Sequence, residues 1–247
     1  MQFRVLTYNI HRAIGVDRKF QPERIVAILR HYDADILLLQ EVDRGVPRSN
    51  HMDLALYLER QLEYGYRAVG MNVFLKKGQY GNATLSRFPI GRQRNIDLTI
   101  GDAKRRGAQH ARIEVRNGTA SLPVDVFNVH LGLTARLRRQ QVAHLLGSAD
   151  LNELPHAAPC IVGGDMNDWH GMLKRRFFES AGFHCATNRR SDSRWALKTF
   201  PSFAPASGLD KIFYRGRLRL VNVQSSRMKL ARIASDHLPV ICDFQIA

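Results

Sequence analysis

A chain of 247 residues is long enough for one large domain with a substantial core, and 45% hydrophobic with 24% charged residues is the balance of an ordinary globular protein. No apolar run is long enough to span a bilayer, so a transmembrane role is excluded from the expectations. The net charge of +15, from 37 Lys and Arg against 22 acids, excludes an acidic surface and suits polyanionic partners: nucleic acid, an anionic membrane or phosphorylated small molecules.

The chain begins with an alternating strand pattern from Phe3 to Ile10, with Asn9 near its end and His11 and Arg12 after it. This start lacks a signal-peptide plan. Pro22 opens a helix whose apolar stripe is Ile25, Ile28 and Leu29. The run from Asp35 to Glu41 reads as a central strand, apolar on both faces and ending in an acid. Ser49 or Asn50 is expected to cap a helix through Leu54, Leu58 and Leu62. Strand-like pieces follow at residues 66–69, 72–75 and 83–85, the last closed by Arg87. Lys104, Arg105 and Arg106 form a basic turn into another strand.

The next strand ends near His130, and Thr134 caps a helix with Arg136, Arg138 and Arg139 in its first turn, where they oppose the helix dipole unless an anion lies nearby. The apolar run Pro159 to Val162 then leads into Gly163-Gly164-Asp165-Met166-Asn167, where two glycines permit a tight turn and a close approach, and Asp165 and Asn167 share a face if the strand continues. A helix over 171–181 and a polar loop over 187–208, carrying Trp195 and Thr199, are predicted next. Residues 209–214 and 218–223 read as paired strands around Arg215-Gly216, and Ser235-Asp236-His237 turns into a last strand. Cys160, Cys185 and Cys242 cannot all pair, and they read as reduced core residues of a cytoplasmic protein. With no repeat and no linker-like shift in composition, one α/β domain over residues 1–247 is the simplest organisation.

Polar residues thus recur where strands end: Asn9, Glu41, His130, Asp165, Asn167, Asp210, Asp236 and His237. Together with Gly-Asn82-Ala-Thr-Leu-Ser-Arg87, these motifs resemble, in order and over nearly the whole chain, the endonuclease/exonuclease/phosphatase superfamily. That group includes pancreatic-type deoxyribonucleases, apurinic endonucleases, neutral sphingomyelinases and inositol polyphosphate phosphatases. The resemblance implies an α/β fold that is a four-layer α/β/β/α sandwich, two packed mixed sheets flanked by helices, with the site at the mouth between the sheets. It implies Glu41 as the divalent metal ligand with Asn9 and Asp236 beside it. It further implies that Asp165 and Asn167 hold the nucleophilic water and phosphate, that His130 and His237 contact or protonate phosphate oxygens, and that Asp210 orients an imidazole. Asn82, Arg87 and Arg106 match as substrate contacts. Two departures stand out. Tyr8 precedes Asn9 where the family often has tryptophan, and Glu41-Val42-Asp43 replaces the Glu-Thr-Lys of apurinic endonucleases. The second departure leans away from abasic-site specificity.

The chemistry agrees with that assignment. Phosphate-ester hydrolysis needs a cation on the non-bridging oxygens, a positioned water and an acid for the leaving group. Asn and carboxylate oxygens suit Mg²⁺, with Mn²⁺ as the alternative. The expectation is a monomeric, metal-dependent phosphodiesterase. Its substrate is nucleic acid, in which case it is a nuclease, or a phospholipid or small-molecule head group. A non-catalytic polyanion-binding module is the reading from another class. Asp210 can pair with either histidine.

Overall fold

The computed structural model describes residues 1–118, 120–188 and 196–246, so Trp195 of the predicted loop lies outside the described residues. Among the described residues, twelve strands form two mixed sheets of six. The strands are β1 (Gln2–Asn9), β2 (Ile36–Arg44), β3 (Tyr66–Phe74), β4 (Gln79–Ser86), β5 (Ile90–Asp97), β6 (Gly107–Asn117), β7 (Ala120–His130), β8 (Cys160–Asp165), β9 (His184–Cys185), β10 (Asp210–Arg215), β11 (Leu218–Ser225) and β12 (Val240–Ile246). The first sheet runs β11-β12-β1-β2-β4-β3 and the second β5-β6-β7-β8-β10-β9. Each sheet has one parallel pair near its middle, β1 with β2 and β7 with β8. Each parallel pair is joined by a helical crossover, as parallel pairing requires. Helix α1 (Pro22–Tyr32) joins the first pair; α3 (Ala135–Gly147) and α4 (Ala149–Asn152) join the second.

Side-chain alternation builds the layers. In β2, Ile36 and Leu38 face the other sheet, packing with Val5 of β1 and with Val126, Ile161 and Ile212 of the second sheet. Leu37 and Leu39 point the opposite way, onto α1 and α2 (Leu54–Leu62) through Ile25, Leu29 and Leu58. A third cluster, with Phe127, Val162 and Phe213, covers the outer face of the second sheet beneath α3. Both faces of the central strands are therefore buried, as their uninterrupted apolar runs require. This is the expected four-layer sandwich. Among the described residues, no helix is long and apolar enough to cross a membrane.

Three local expectations are corrected. The α2 cap is Asp53, whose carboxylate accepts from Leu56 N at 3.0 Å; Ser49 lies in a preceding 3-10 turn. The helix over 171–181 is reduced to a short helical segment with a π-type turn at Lys174–Phe178, which begins where Asp168 accepts from Met172 N and Leu173 N. The pair β10 and β11 is not a hairpin: β10 joins β8 in the second sheet and β11 joins β12 in the first. Gly216, at φ +77°, turns the chain against Ala158, where a Cβ would come within 2.0 Å of Ala158 O, and this sends it from one sheet to the other. Thr134 does cap α3, accepting from Leu137 N at 3.3 Å.

Candidate active site

The topology collects the predicted polar residues at one edge. Asn9 and Glu41 lie at or near the C-terminal ends of the parallel strands β1 and β2, and His130 and Asp165 end β7 and β8. Asp210 starts β10 opposite Asp165 in the antiparallel register, and Asp236-His237 precedes β12, whose first residue Val240 lies opposite Thr7. The same edge of both sheets thus carries every one of these groups.

Asp165 is the hub. Its Oδ2 accepts from Asn9 Nδ2 at 3.0 Å, and its Oδ1 accepts from Asn167 N at 2.9 Å. His130 Nε2 lies 3.4 Å and His237 Nε2 3.8 Å from Asp165 Oδ2. His237 Nδ1 is hydrogen-bonded to Asp210 Oδ2 at 2.8 Å, which resolves the choice between the two histidines in favour of His237. Asn167, at φ +48°, turns its amide inward to Leu131 O at 3.0 Å. Asp165, Asp210 and His237 present ligand atoms within 4.8 Å of one another, a set that could hold a metal ion.

Burial separates the two imidazoles. Burial, reinforced by the positive charge of Arg106 and His237, pushes the His130 pKa well below the ordinary histidine value. Burial also disfavours the charged form of His237, but Asp210 and Asp165 outweigh it and raise that ring to about 10. Desolvation raises Asp165 to about 6, against the lowering influence of His237. A neutral imidazole, an imidazolium and a carboxylate able to take a proton near neutral pH therefore share one pocket. Environments that push titratable groups apart in this way mark acid and base roles.

Glu41 sits in a β-bulge, where the β2–β4 register slips between Leu39 and Val42, and has φ +56°. The bulge aims its carboxylate at the mouth. Arg12 Nη2 lies 2.9 Å from Glu41 Oε2, yet that oxygen is buried without a properly directed hydrogen bond. An acidic oxygen left open in this way fits a divalent cation. Asp236 is about one-third exposed, with His11 Nδ1 4.0 Å away.

Beneath these groups lies a polar layer that carries no charge. Gln40 Nε2 donates to Asn128 Oδ1 at 2.8 Å and Thr7 Oγ1 at 3.1 Å. Asn128 Nδ2 donates to Leu39 O and Ala83 O across the sheet interface. Asn82 belongs to this layer: its Nδ2 donates to Asn128 O at 3.0 Å and Gly107 O at 3.2 Å, which ties the sheets together below the mouth. Arg106 is buried with its Nε unpaired, and it lines a crevice with Tyr80, Asn82 and His130. Burial lowers its pKa against the pull of Asp165 and Glu41.

Arg87 is not at this site. It follows Ser86, which lies opposite Ile36 at the far end of β2, and it pairs with Asp33 at that opposite edge. Asn82 and Arg87 are separated along one strand by five residues, roughly 17 Å at ~3.3 Å each, so both cannot reach one mouth. Arg138, expected with Arg136 and Arg139 in the first turn of α3, lies there, buried, and donates to Leu133 O.

Sequence reasoning passed over Arg12, Gln40, Asn128 and Ser235. Asn128 carried a signal, since it lies two residues before His130 on the same strand face. Ser235 donates to Asn9 O at 2.7 Å and accepts from His237 N at 3.2 Å, fixing the last turn against the first strand.

A family model for the Endonuclease/Exonuclease/phosphatase family matches residues 6–237. The chain belongs to that family. It is 32% identical to the uncharacterised protein YbhP of Escherichia coli (strain K12), covering 99% of this chain and 96% of that one. The fold is shared with an endonuclease/exonuclease/phosphatase of Beutenbergia cavernae (TM-score 0.82, 23% identity, 100% of this chain and 72% of that one). It is also shared with truncated TDP2 of Caenorhabditis elegans (TM-score 0.68, 22% identity, 99% and 97%).

Proposed function

We propose that this family member hydrolyses phosphodiesters with the aid of a divalent cation, Mg²⁺ or Mn²⁺. The observation that carries this reading is the Asp165–His237–Asp210 arrangement, in which a carboxylate raised to about 6 lies 3.8 Å from an imidazolium anchored by a second carboxylate. Asp165 takes the proton of a water molecule as its oxygen bonds to phosphorus. As the ester P–O bond breaks, His237 gives its Nε2 proton to the leaving oxygen and regains one from Asp165, so the site ends as it began. Asp210 holds the His237 ring in place and sustains its charge. Asn9 and Asn167 N orient Asp165 through its two oxygens, and Arg106 faces the phosphate.

The open oxygen of Glu41 would hold the cation, with Asn9 and Asp236 beside it. A bound Mg²⁺ would neutralise non-bridging phosphate oxygens. The Asp165–Asp210–His237 set suits proton transfer better than metal ligation. The His237–Asp210 hydrogen bond already uses the ring nitrogen and one carboxylate oxygen, and the raised imidazole is charged at neutral pH. A non-catalytic binding module has no use for a carboxylate and an imidazolium tuned against each other.

Turnover of bis-p-nitrophenyl phosphate with Mg²⁺, abolished by EDTA and by Asp165→Asn, is the expected result. Full turnover in EDTA, or in Asp165→Asn, would overturn the reading.

A further inference from the structure

Ten large hydrophobic side chains are exposed among the described residues, and all but Tyr66 and Val221 sit on the edge of the sandwich that carries the site. They come from separate loops. Val16 follows β1 and is joined to Ile233, before the Asp236 turn, by the Val16 N to Ile233 O bond of 2.9 Å. Phe74 and Leu75 form the β3–β4 turn, and Leu133 follows β7. Trp169 and Met172 follow β8, where Trp169 packs edge-on against Phe200, itself 5.0 Å from the His237 ring. Phe203 follows Ser202, whose N donates to Asp236 O at 2.7 Å. Leu133, Phe74 and Phe203 are 69%, 63% and 62% exposed, more than a satisfied surface residue needs.

Basic residues alternate with this rim. Lys76 and Lys77 follow Leu75, Arg105 lies 5.9 Å from the centre of the Phe74 ring, Arg232 precedes Ile233, and Arg175 and Arg176 follow Met172. All of these are exposed. Apolar tips with Lys and Arg between them match the boundary between acyl chains and anionic head groups. A nucleic-acid groove would instead use stacking aromatics. Phe74, Trp169 and Phe203 present rings, but the other five of the eight rim residues, Val16, Leu75, Leu133, Met172 and Ile233, offer bases no π face.

We propose that this edge is a membrane-docking face, on which the apolar tips and interspersed Lys and Arg seat the catalytic mouth on an anionic lipid bilayer. The inference takes its chemistry from the phosphodiesterase reading, since docking would bring the mouth to head-group phosphodiesters. It is tested apart from turnover, by flotation with vesicles of phosphatidylcholine alone and of phosphatidylcholine mixed equally with phosphatidylglycerol. The full chain should float with the mixed vesicles. The variant Phe74→Ser/Leu75→Ser/Leu133→Ser should bind them at least about tenfold more weakly, because each change removes an apolar group from the acyl boundary. Its turnover of soluble bis-p-nitrophenyl phosphate should equal that of the wild type, which also shows that it is folded. Failure of the wild type to float while it hydrolyses the soluble diester would overturn docking and leave the phosphodiesterase reading standing. Flotation without any turnover would do the reverse. Equal flotation of the triple variant overturns the proposal, as does a loss confined to binding of a DNA duplex or single strand, which would make nucleic acid the partner of this face.

Discussion

His237 Nδ1 and Asp210 Oδ2 meet at 2.8 Å inside the protein, and the second nitrogen of the same ring faces Asp165 Oδ2 at 3.8 Å. One imidazole therefore bridges two carboxylates with different tasks. Both carboxylates are buried: Asp210 holds the ring through Nδ1, and Asp165 faces Nε2 beside Asn9 and His130. A ring so placed keeps its proton far above the usual histidine range.

That relationship sets a pH dependence with a definite sign. The activity reading requires Asp165 deprotonated and His237 protonated, so kcat/KM should rise through an acidic limb near 6 and fall through an alkaline limb near 10. Asp210→Asn removes the largest influence holding the proton on His237, so the alkaline limb should move toward neutrality. Stability follows the same protons. Both folded pKa values lie above the unfolded ones, ~3.9 for Asp and ~6.5 for His. Each contribution is complete below the unfolded value and lost as pH rises through the folded value. Thermal unfolding of the wild type in EDTA should thus lose stability between about 6.5 and 10, and Asp210→Asn should flatten that slope. An unmoved alkaline limb in the variant would show that Asp210 does not govern the ring.

Glu41 and Arg12 make a second pair with a consequence for the metal. The guanidinium lies 2.9 Å from the carboxylate that should hold the cation, and both residues sit at positive φ. Arg12 is then an internal competitor. Glu41→Gln should lower Mg²⁺-supported kcat/KM by roughly 100-fold or more while leaving the unfolding midpoint near that of the wild type. Arg12→Ala should tighten Mn²⁺ binding by up to about fivefold, the scale of a partly exposed ion pair. Titration calorimetry reads the second outcome without turnover, and weaker Mn²⁺ binding in Arg12→Ala would make Arg12 a supporter of the site instead.

Arg106 is a buried cation whose Nε has no partner, in a crevice beside His130. A group left unsatisfied in this way is costly unless an anion completes it. Arg106→Ala should lower kcat/KM for a soluble diester by about 100-fold, in the range for removing one preorganised donor. Arg106→Lys should recover only part, because an ammonium cannot present the planar fork. Inorganic phosphate should protect the wild type against heat more than it protects Arg106→Ala. Equal protection would place Arg106 outside the phosphate site.

Much of this was legible in the sequence because a buried strand leaves few reasons for a polar residue at its end. Asn9, Glu41, His130 and Asp165 all follow apolar runs, and the parallel pairs bring those ends to one edge. Arg87 misled because it belongs to the same family-like motif as Asn82, although strand rise separates the two residues in space. The β10–β11 pair misled for a different reason. Two apolar runs around Arg215-Gly216 have the local pattern of a hairpin, and only the long-range need to cover two sheets sends them apart. Arg12 was hidden because its role comes from a left-handed loop and a bulge on another strand, neither of which leaves a periodic trace.

The two glycines before Asp165 offer the last test, because the space around them differs. The close approach they permit is made by backbone at Gly164 and by a side chain at Gly163. A Cβ on Gly164, at φ +142°, would fall 1.9 Å from Val129 O in the paired strand β7, where nothing flexible can yield. A Cβ on Gly163 would meet Leu38 Cδ1 at 2.8 Å, the far end of a side chain in the inter-sheet core. Gly164→Ala should therefore cost more than about 3 kcal/mol, since it must push β7 and β8 apart or break their register. Gly163→Ala should cost about 1–2 kcal/mol through local overpacking that a Leu38 rotamer change can relieve. Chemical denaturation at one pH separates the two, and the double variant Gly163→Ala/Leu38→Val should recover part of the smaller loss. A Gly164→Ala protein as stable as Gly163→Ala would mean that the β7–β8 contact is looser than its backbone geometry shows.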